Sequence, residues 1–217
     1  MTPPLILAAV LSALYAAAFC NKDPSWPKSL IKTASVLLLA VVAVQGQGPW
    51  LLLLALLLCA LGDYLLSRPG EGSFMAGVGA FAAGHIAYVA LFVAQGLDPA
   101  RLGQMPGLAV AAALALLGVV MAVLLWRKAG AMRGPVLVYI PIILSMGVAA
   151  AMLPPQGAVL LVLPAALLFI LSDFLLALEM FVLPKGAGLA RILPFIVWPT
   201  YWLAQTGFTL AFTFTGI

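Results

Sequence analysis

Two aspartates, Asp63 and Asp173, sit inside long apolar runs that nearly repeat one another: Leu61-Gly62-Asp63-Tyr64-Leu65-Leu66 and Leu171-Ser172-Asp173-Phe174-Leu175-Leu176. A carboxylate at membrane depth is costly unless it faces protein, water or a partner, so it marks a functional site by default. Here the costly residue occurs twice in one context, in a chain with only six acidic residues. Two carboxylates close together in a low-dielectric site cannot both ionise easily, so one keeps its proton. A neutral acid beside an ionised base is what hydrolysis of an acid-labile bond requires. The plain alternative is that each aspartate bonds an opposing helix or pairs with a nearby Lys or Arg.

Other polar groups in apolar surroundings are few. His85 is the single histidine, with Phe81, Tyr88 and Phe92 on its helical face. Ala76, Ala80 and Gly84 form a small-residue stripe that would let a neighbouring helix approach. Tyr201 and Gln205 stand one turn apart near the C-terminus, and Tyr139 and Ser145 are lesser polar sites of the same kind. Lys32, Arg68 and Arg191 lie where an interfacial phosphate could be held, although such residues more often anchor topology. Glu179 is expected at a readily solvated helix end. One histidine and two separated cysteines, Cys20 and Cys59, leave a catalytic zinc without its usual three ligands. That excludes a zinc-dependent membrane amidase.

The elements that must position these groups are helices in a membrane. Of 217 residues, 65% are hydrophobic and 7% charged, and the mean hydropathy is +1.22. A crossing takes about 20 apolar residues, so the chain has room for about eight short-looped spans and no soluble domain. Eight segments emerge: Pro4–Phe19, Ser29–Val44, Pro49–Leu66, Phe74–Ala94, Pro106–Trp126, Pro135–Met152, Ala158–Leu178 and Ile192–Phe214. Gly, Pro and charge punctuate them, as at Ser67-Arg68-Pro69-Gly70. The first lacks a positive n-region and a small-residue cleavage site, so it reads as a helix rather than a signal peptide. The expected fold is an all-α polytopic bundle, one membrane domain over residues 1–217.

The charges set an orientation. Lys22, Lys28, Lys32, Arg68, Arg127, Lys128, Arg133, Lys185 and Arg191 fall at odd-numbered loops, and only Arg101 lies opposite. By the positive-inside rule both termini are non-cytoplasmic. The basic balance thus reflects topology, not nucleic acid binding. The expected location is the cell membrane, multi-pass (the inner membrane in a Gram-negative bacterium). The two aspartate segments are 110 residues apart (173 − 63), about half the chain. That spacing suggests a 4+4 parallel repeat, halves 1–104 and 105–217, against the alternative of chance likeness between leucine-rich helices.

Gly62-Asp63, Phe74-Met75-Ala76-Gly77, Phe81, His85 and Tyr88, then Phe169-Ile170-Leu171-Ser172-Asp173-Phe174-Leu175-Leu176-Ala177, Phe181 and Thr200-Tyr201-Trp202-Leu203-Ala204-Gln205, resemble the two halves of the YhhN family of membrane proteins. The resemblance runs from about Lys32 to Gln205. It implies lysoplasmalogenase activity: hydrolysis of the vinyl ether of a lysoplasmalogen to a fatty aldehyde and glycerophosphoethanolamine or glycerophosphocholine. A lysophospholipid substrate among membrane lipids follows, with no cofactor or metal needed. Asp63 and Asp173 would be the acid–base pair. His85, Tyr88, Tyr201 and Gln205 would line the site, with Lys32 and Arg68 near the phosphate.

Two other classes use the same carboxylates: a proton-coupled transporter and a non-enzymatic lipid-binding protein. An intramembrane aspartyl protease fits poorly. Ala60-Leu61-Gly62 lacks the first glycine of its Gly-x-Gly-Asp motif, and Ser172 precedes the second aspartate instead of tyrosine.

Overall fold

Backbone N–H and C=O groups in lipid must find partners within the protein, and in a chain without alternating patterns only helices supply them. A computed structural model describes residues 2–184, 186 and 188–213, and these contain no strand. The helices are α1 (Pro3–Ala18), α2 (Trp26–Gln45), α3 (Trp50–Leu66), α4 (Glu71–Ala94), α5 (Gly107–Lys128), α6 (Arg133–Met152), α7 (Val162–Ala177), α8 (Gly188–Ile192) and α9 (Pro194–Thr213). Each expected apolar segment holds one of the longer helices. Phe214 and Lys185 lie outside the described residues.

Local chemistry explains where the ends differ. Helix α2 begins three residues before Ser29 because Ser25 caps it, its Oγ accepting from the Lys28 N–H at 3.4 Å. The seventh segment is composite: a 3₁₀ turn at Gly157–Leu161, then α7, then a π-helical turn at Leu178–Val182. Gly70, at φ +105°, makes the turn into α4 that a residue with a Cβ rarely adopts.

Five helical stretches are long and apolar enough to cross a membrane, namely 26–45, 71–94, 107–128, 130–152 and 157–182, so this is a multi-pass membrane protein. Helices α1 and α3 are apolar but shorter, at 16 and 17 residues. Helix α9 is long but less apolar, because Tyr201, Gln205, Thr209 and Thr213 turn inward and are buried. A polar stripe is tolerated there because protein, not lipid, surrounds it.

Neighbouring helices pack in sequence, α1 on α2, α2 on α3, α3 on α4, α5 on α6, α6 on α7 and α7 on α9. Two contacts close the bundle, α4 with α6 and α2 with α9. Helix α5 is peripheral. Of its residues only Gly107, Leu114, Met121 and Leu125 are buried, while Leu116, Val119 and Val123 are left exposed for lipid.

The closest approach is α3 on α4. The stripe that permits it is Gly77, Ala80 and Gly84, not the expected Ala76, Ala80 and Gly84, since Ala76 is exposed. A Cβ on Gly62 would lie 2.6 Å from the Phe81 ring, one residue from Asp63. Phe81 in turn packs edge-on against Phe169 and Tyr201. Gly62→Ala should therefore destabilise the protein by about 1–3 kcal/mol through overpacking. Gly79, where an added Cβ would meet nothing within 4 Å, should accept alanine without loss. Thermal unfolding of both variants in detergent checks the contrast.

Candidate active site

Asp63 sits one turn from the C-terminal end of α3 and is fully buried. Its Oδ1 faces Lys32 Nζ of α2 at 3.0 Å. Its Oδ2 accepts a hydrogen bond from the Tyr201 hydroxyl of α9 at 2.6 Å. One carboxylate thus ties three helices together, with a cation on one oxygen and a neutral donor on the other. Such pairing is the condition for keeping a buried charge.

Asp173, on α7, has different company. Its Oδ2 accepts from the Tyr139 hydroxyl of α6 at 2.5 Å, and the Ser172 hydroxyl lies 3.4 Å from Oδ1. No Lys or Arg among the described residues pairs with it; the nearest basic atom is His85 Nε2 of α4, 3.8 Å from Oδ2. The state of His85 follows from its other nitrogen. Nδ1 lies 2.7 Å from the Phe81 carbonyl, which only accepts, so Nδ1 carries the proton. Nε2 is buried, with no hydrogen-bond partner. In a neutral ring it would be an acceptor facing the Asp173 carboxyl with a lone pair.

Both aspartates line one cavity of about 350 Å³. Of the other residues expected at the site, Lys32 and Tyr201 also line it. His85 stands behind the wall, its ring centroid 4.4 Å from that of Phe169 and 5.5 Å from that of Tyr139. Tyr88 and Gln205 lie deeper still and bond one another, hydroxyl to Oε1. Arg68 is not among the lining residues; its guanidinium stacks on Trp26 at 4.5 Å. Ser145 is exposed and bonds its own helix at the Ile142 carbonyl.

Several lining residues carried little signal in the sequence. Tyr139 was visible as a polar group in an apolar helix, but not as the partner of Asp173. Trp198, Tyr15, Lys28 and Glu179 also line the cavity. Trp198 donates its indole N–H to Ser12 of α1 at 3.1 Å, which fixes the ring beside Lys32. Cys20 lies in the loop after α1, where burial pushes its thiol up to about 11. At neutral pH it is a neutral donor to the Pro194 carbonyl, at 3.6 Å, and not a nucleophile.

The lining is chemically mixed. Cys20, Pro24, Lys28, Ser67, Glu179 and Pro194 come from loops and helix ends near the basic residues. Met121, Leu125, Val136 and Ile140 of α5 and α6 add an apolar patch. Charged and apolar lining on one cavity suits an amphiphile, and the two aspartates offer it carboxyl groups in two different electrostatic settings.

The chain is 34% identical, over 93% of its own length and 81% of the relative's, to a Mus musculus protein described as lysoplasmalogenase TMEM86B. No solved structure matches it. The YhhN family matches residues 27–212, which include every side chain that holds the two aspartates, and the protein belongs to that family.

Proposed function

We propose that this protein is a membrane hydrolase that cleaves the vinyl-ether bond of lysoplasmalogens. The products are a fatty aldehyde and a glycerophosphoethanolamine or glycerophosphocholine. The observation that carries this is the pair of aspartates on one cavity of mixed charged and apolar lining, one matched by a lysine and the other not. The mouse relative's description supports the substrate class.

Vinyl ethers hydrolyse by protonation of the β-carbon. Asp173 is the group that gives this proton. Its side chain is 13% exposed toward the cavity, against 1% for Asp63. The neutral His85 lone pair, at 3.8 Å, favours a proton on the facing carboxyl oxygen. Asp63, held by Lys32 and Tyr201, stays ionised, whereas burial disfavours a charge on Asp173, which has no lysine or arginine to offset it.

Proton transfer to carbon breaks the C=C π bond and leaves an oxocarbenium ion. The new Asp173 carboxylate faces that cation and, with the Asp63 field, stabilises it. Water adds its oxygen to the former vinyl carbon and returns a proton to Asp173. The resulting hemiacetal then breaks its bond to the glycerol oxygen, which takes up the hydroxyl proton, and aldehyde is released. Atoms and charges balance with water as the only co-reactant.

The same proposal includes eight crossings with both termini non-cytoplasmic, and two halves related as α1–α4 to α5–α9. The packing supports it. Exchanging the halves turns the α4–α6 contact into the α9–α2 contact. Each aspartate is then held by the second helix of its own half and the last helix of the other.

Purified protein incubated with lysoplasmenyl and ordinary acyl lysophospholipids should release aldehyde from the first and no fatty acid from the second, as read by mass spectrometry. Fatty acid release instead would mean a general lipase. Asp173→Asn and Asp63→Asn should each lower aldehyde release by about 10²- to 10⁴-fold in protein that still elutes as a folded species. Turnover retained in both variants removes the acid pair from the mechanism. Lys32→Met leaves the Asp63 charge buried without its partner, and should cost about 3–5 kcal/mol of stability by thermal unfolding.

A further inference from the structure

Five Lys, Asp or Glu side chains line the cavity: Lys28, Lys32, Asp63, Asp173 and Glu179. The acid pair and its lysine account for three. Lys28 and Glu179 remain, and among the described residues neither makes an ion pair. They belong to opposite walls, Lys28 to the first turns of α2 and Glu179 to the π-helical turn after α7.

Lys28 is half-buried and its ammonium is fixed rather than mobile. It donates to the Lys22 carbonyl at 2.5 Å and to the Cys20 carbonyl at 3.3 Å. An ammonium has three donors, so one is left for a ligand. Lys32 has no such freedom, because Asp63 holds it at 3.0 Å. Glu179 is also half-buried, and the π turn that carries it breaks the regular wall of the seventh segment, a feature frequent at functional sites.

We propose that Lys28 and Glu179 form a headgroup subsite for a zwitterion whose phosphate and N–H-bearing ammonium lie a few atoms apart, as in phosphoethanolamine. The class of ligand rests on the lysophospholipid reading above. The lining agrees with it: one cavity holds charged groups, acids and apolar side chains, against headgroup, vinyl ether and hydrocarbon chain. Lys28 takes the phosphate and Glu179 the ammonium. A carboxylate accepts hydrogen bonds from a primary ammonium, whereas a trimethylammonium has no N–H to give. A phosphoglycerol headgroup brings an anion with no cation against Glu179. The expected ranking is therefore ethanolamine, then choline, then glycerol.

The test uses saturated 1-O-alkyl lysophospholipids, which have no vinyl ether to cleave, competing for the full-length protein in native mass spectrometry. Wild type should favour phosphoethanolamine over phosphoglycerol by about tenfold. Glu179→Gln, an isosteric change, should bring those two to parity. Lys28→Met should weaken all three by about tenfold and keep their order. If Lys28→Met does not fold, Lys28→Gln preserves a donor for the loop carbonyls and should show the same uniform weakening. An unchanged ranking in Glu179→Gln, or unweakened binding in both Lys28 variants, overturns the subsite. Ranked binding without aldehyde release from the vinyl analogue would sink the hydrolysis and leave the subsite standing. Aldehyde release without ranking would do the reverse.

Discussion

The ion pair between Lys32 and Asp63 is the contact on which the rest of the structure depends. A buried carboxylate survives only where a cation and a donor compensate it, and here they come from two different helices, α2 and α9. Together with the Tyr201 bond, this contact joins the first part of the bundle to its last helix, deep in apolar packing. Asp173 receives donors from Tyr139 and Ser172 but no lysine or arginine, so the two acids, alike in sequence, differ in surroundings.

The aromatic residues keep that difference in place. Phe169 stands one turn before Asp173, and its ring meets His85, Phe81 and Tyr201. It packs against both the histidine and Tyr201, the hydroxyl donor to Asp63. Below it Tyr88 packs on Phe208 at 4.3 Å, and Phe92 stacks on Phe212. These rings are not part of the cavity lining and lie in the apolar packing around it. Charges in such a dry setting act on one another far more strongly than in water.

Most of the architecture was legible because hydropathy, prolines and loop charges all report on the same helix boundaries. The composite seventh segment was not. Nothing in the order Leu178-Glu179-Met180-Phe181-Val182 distinguishes a π turn from one more α turn, and its contact with α5 is not visible in the local sequence. The two aspartates stood out because burial of a carboxylate is costly wherever it occurs. Their partners did not, for the opposite reason: Tyr139 and Lys32 are ordinary residues until a distant helix brings an acid against them. Arg68 and Lys28 look alike as interfacial cations in the sequence. Only the stacking of Arg68 on Trp26 and the carbonyls around Lys28 separate them. His85, Tyr88 and Gln205 were visible as rare polar groups, yet they form the cavity's backing rather than its lining.

The proposed mechanism divides the charge within the pair: Asp63 ionised, Asp173 holding the mobile proton. Dicyclohexylcarbodiimide, an apolar reagent that modifies protonated carboxyl groups in membranes, addresses it without any substrate. Peptide mass spectrometry after treatment at neutral pH should find the adduct on Asp173 and none on Asp63. Modification of Asp63 with Asp173 untouched would contradict the account.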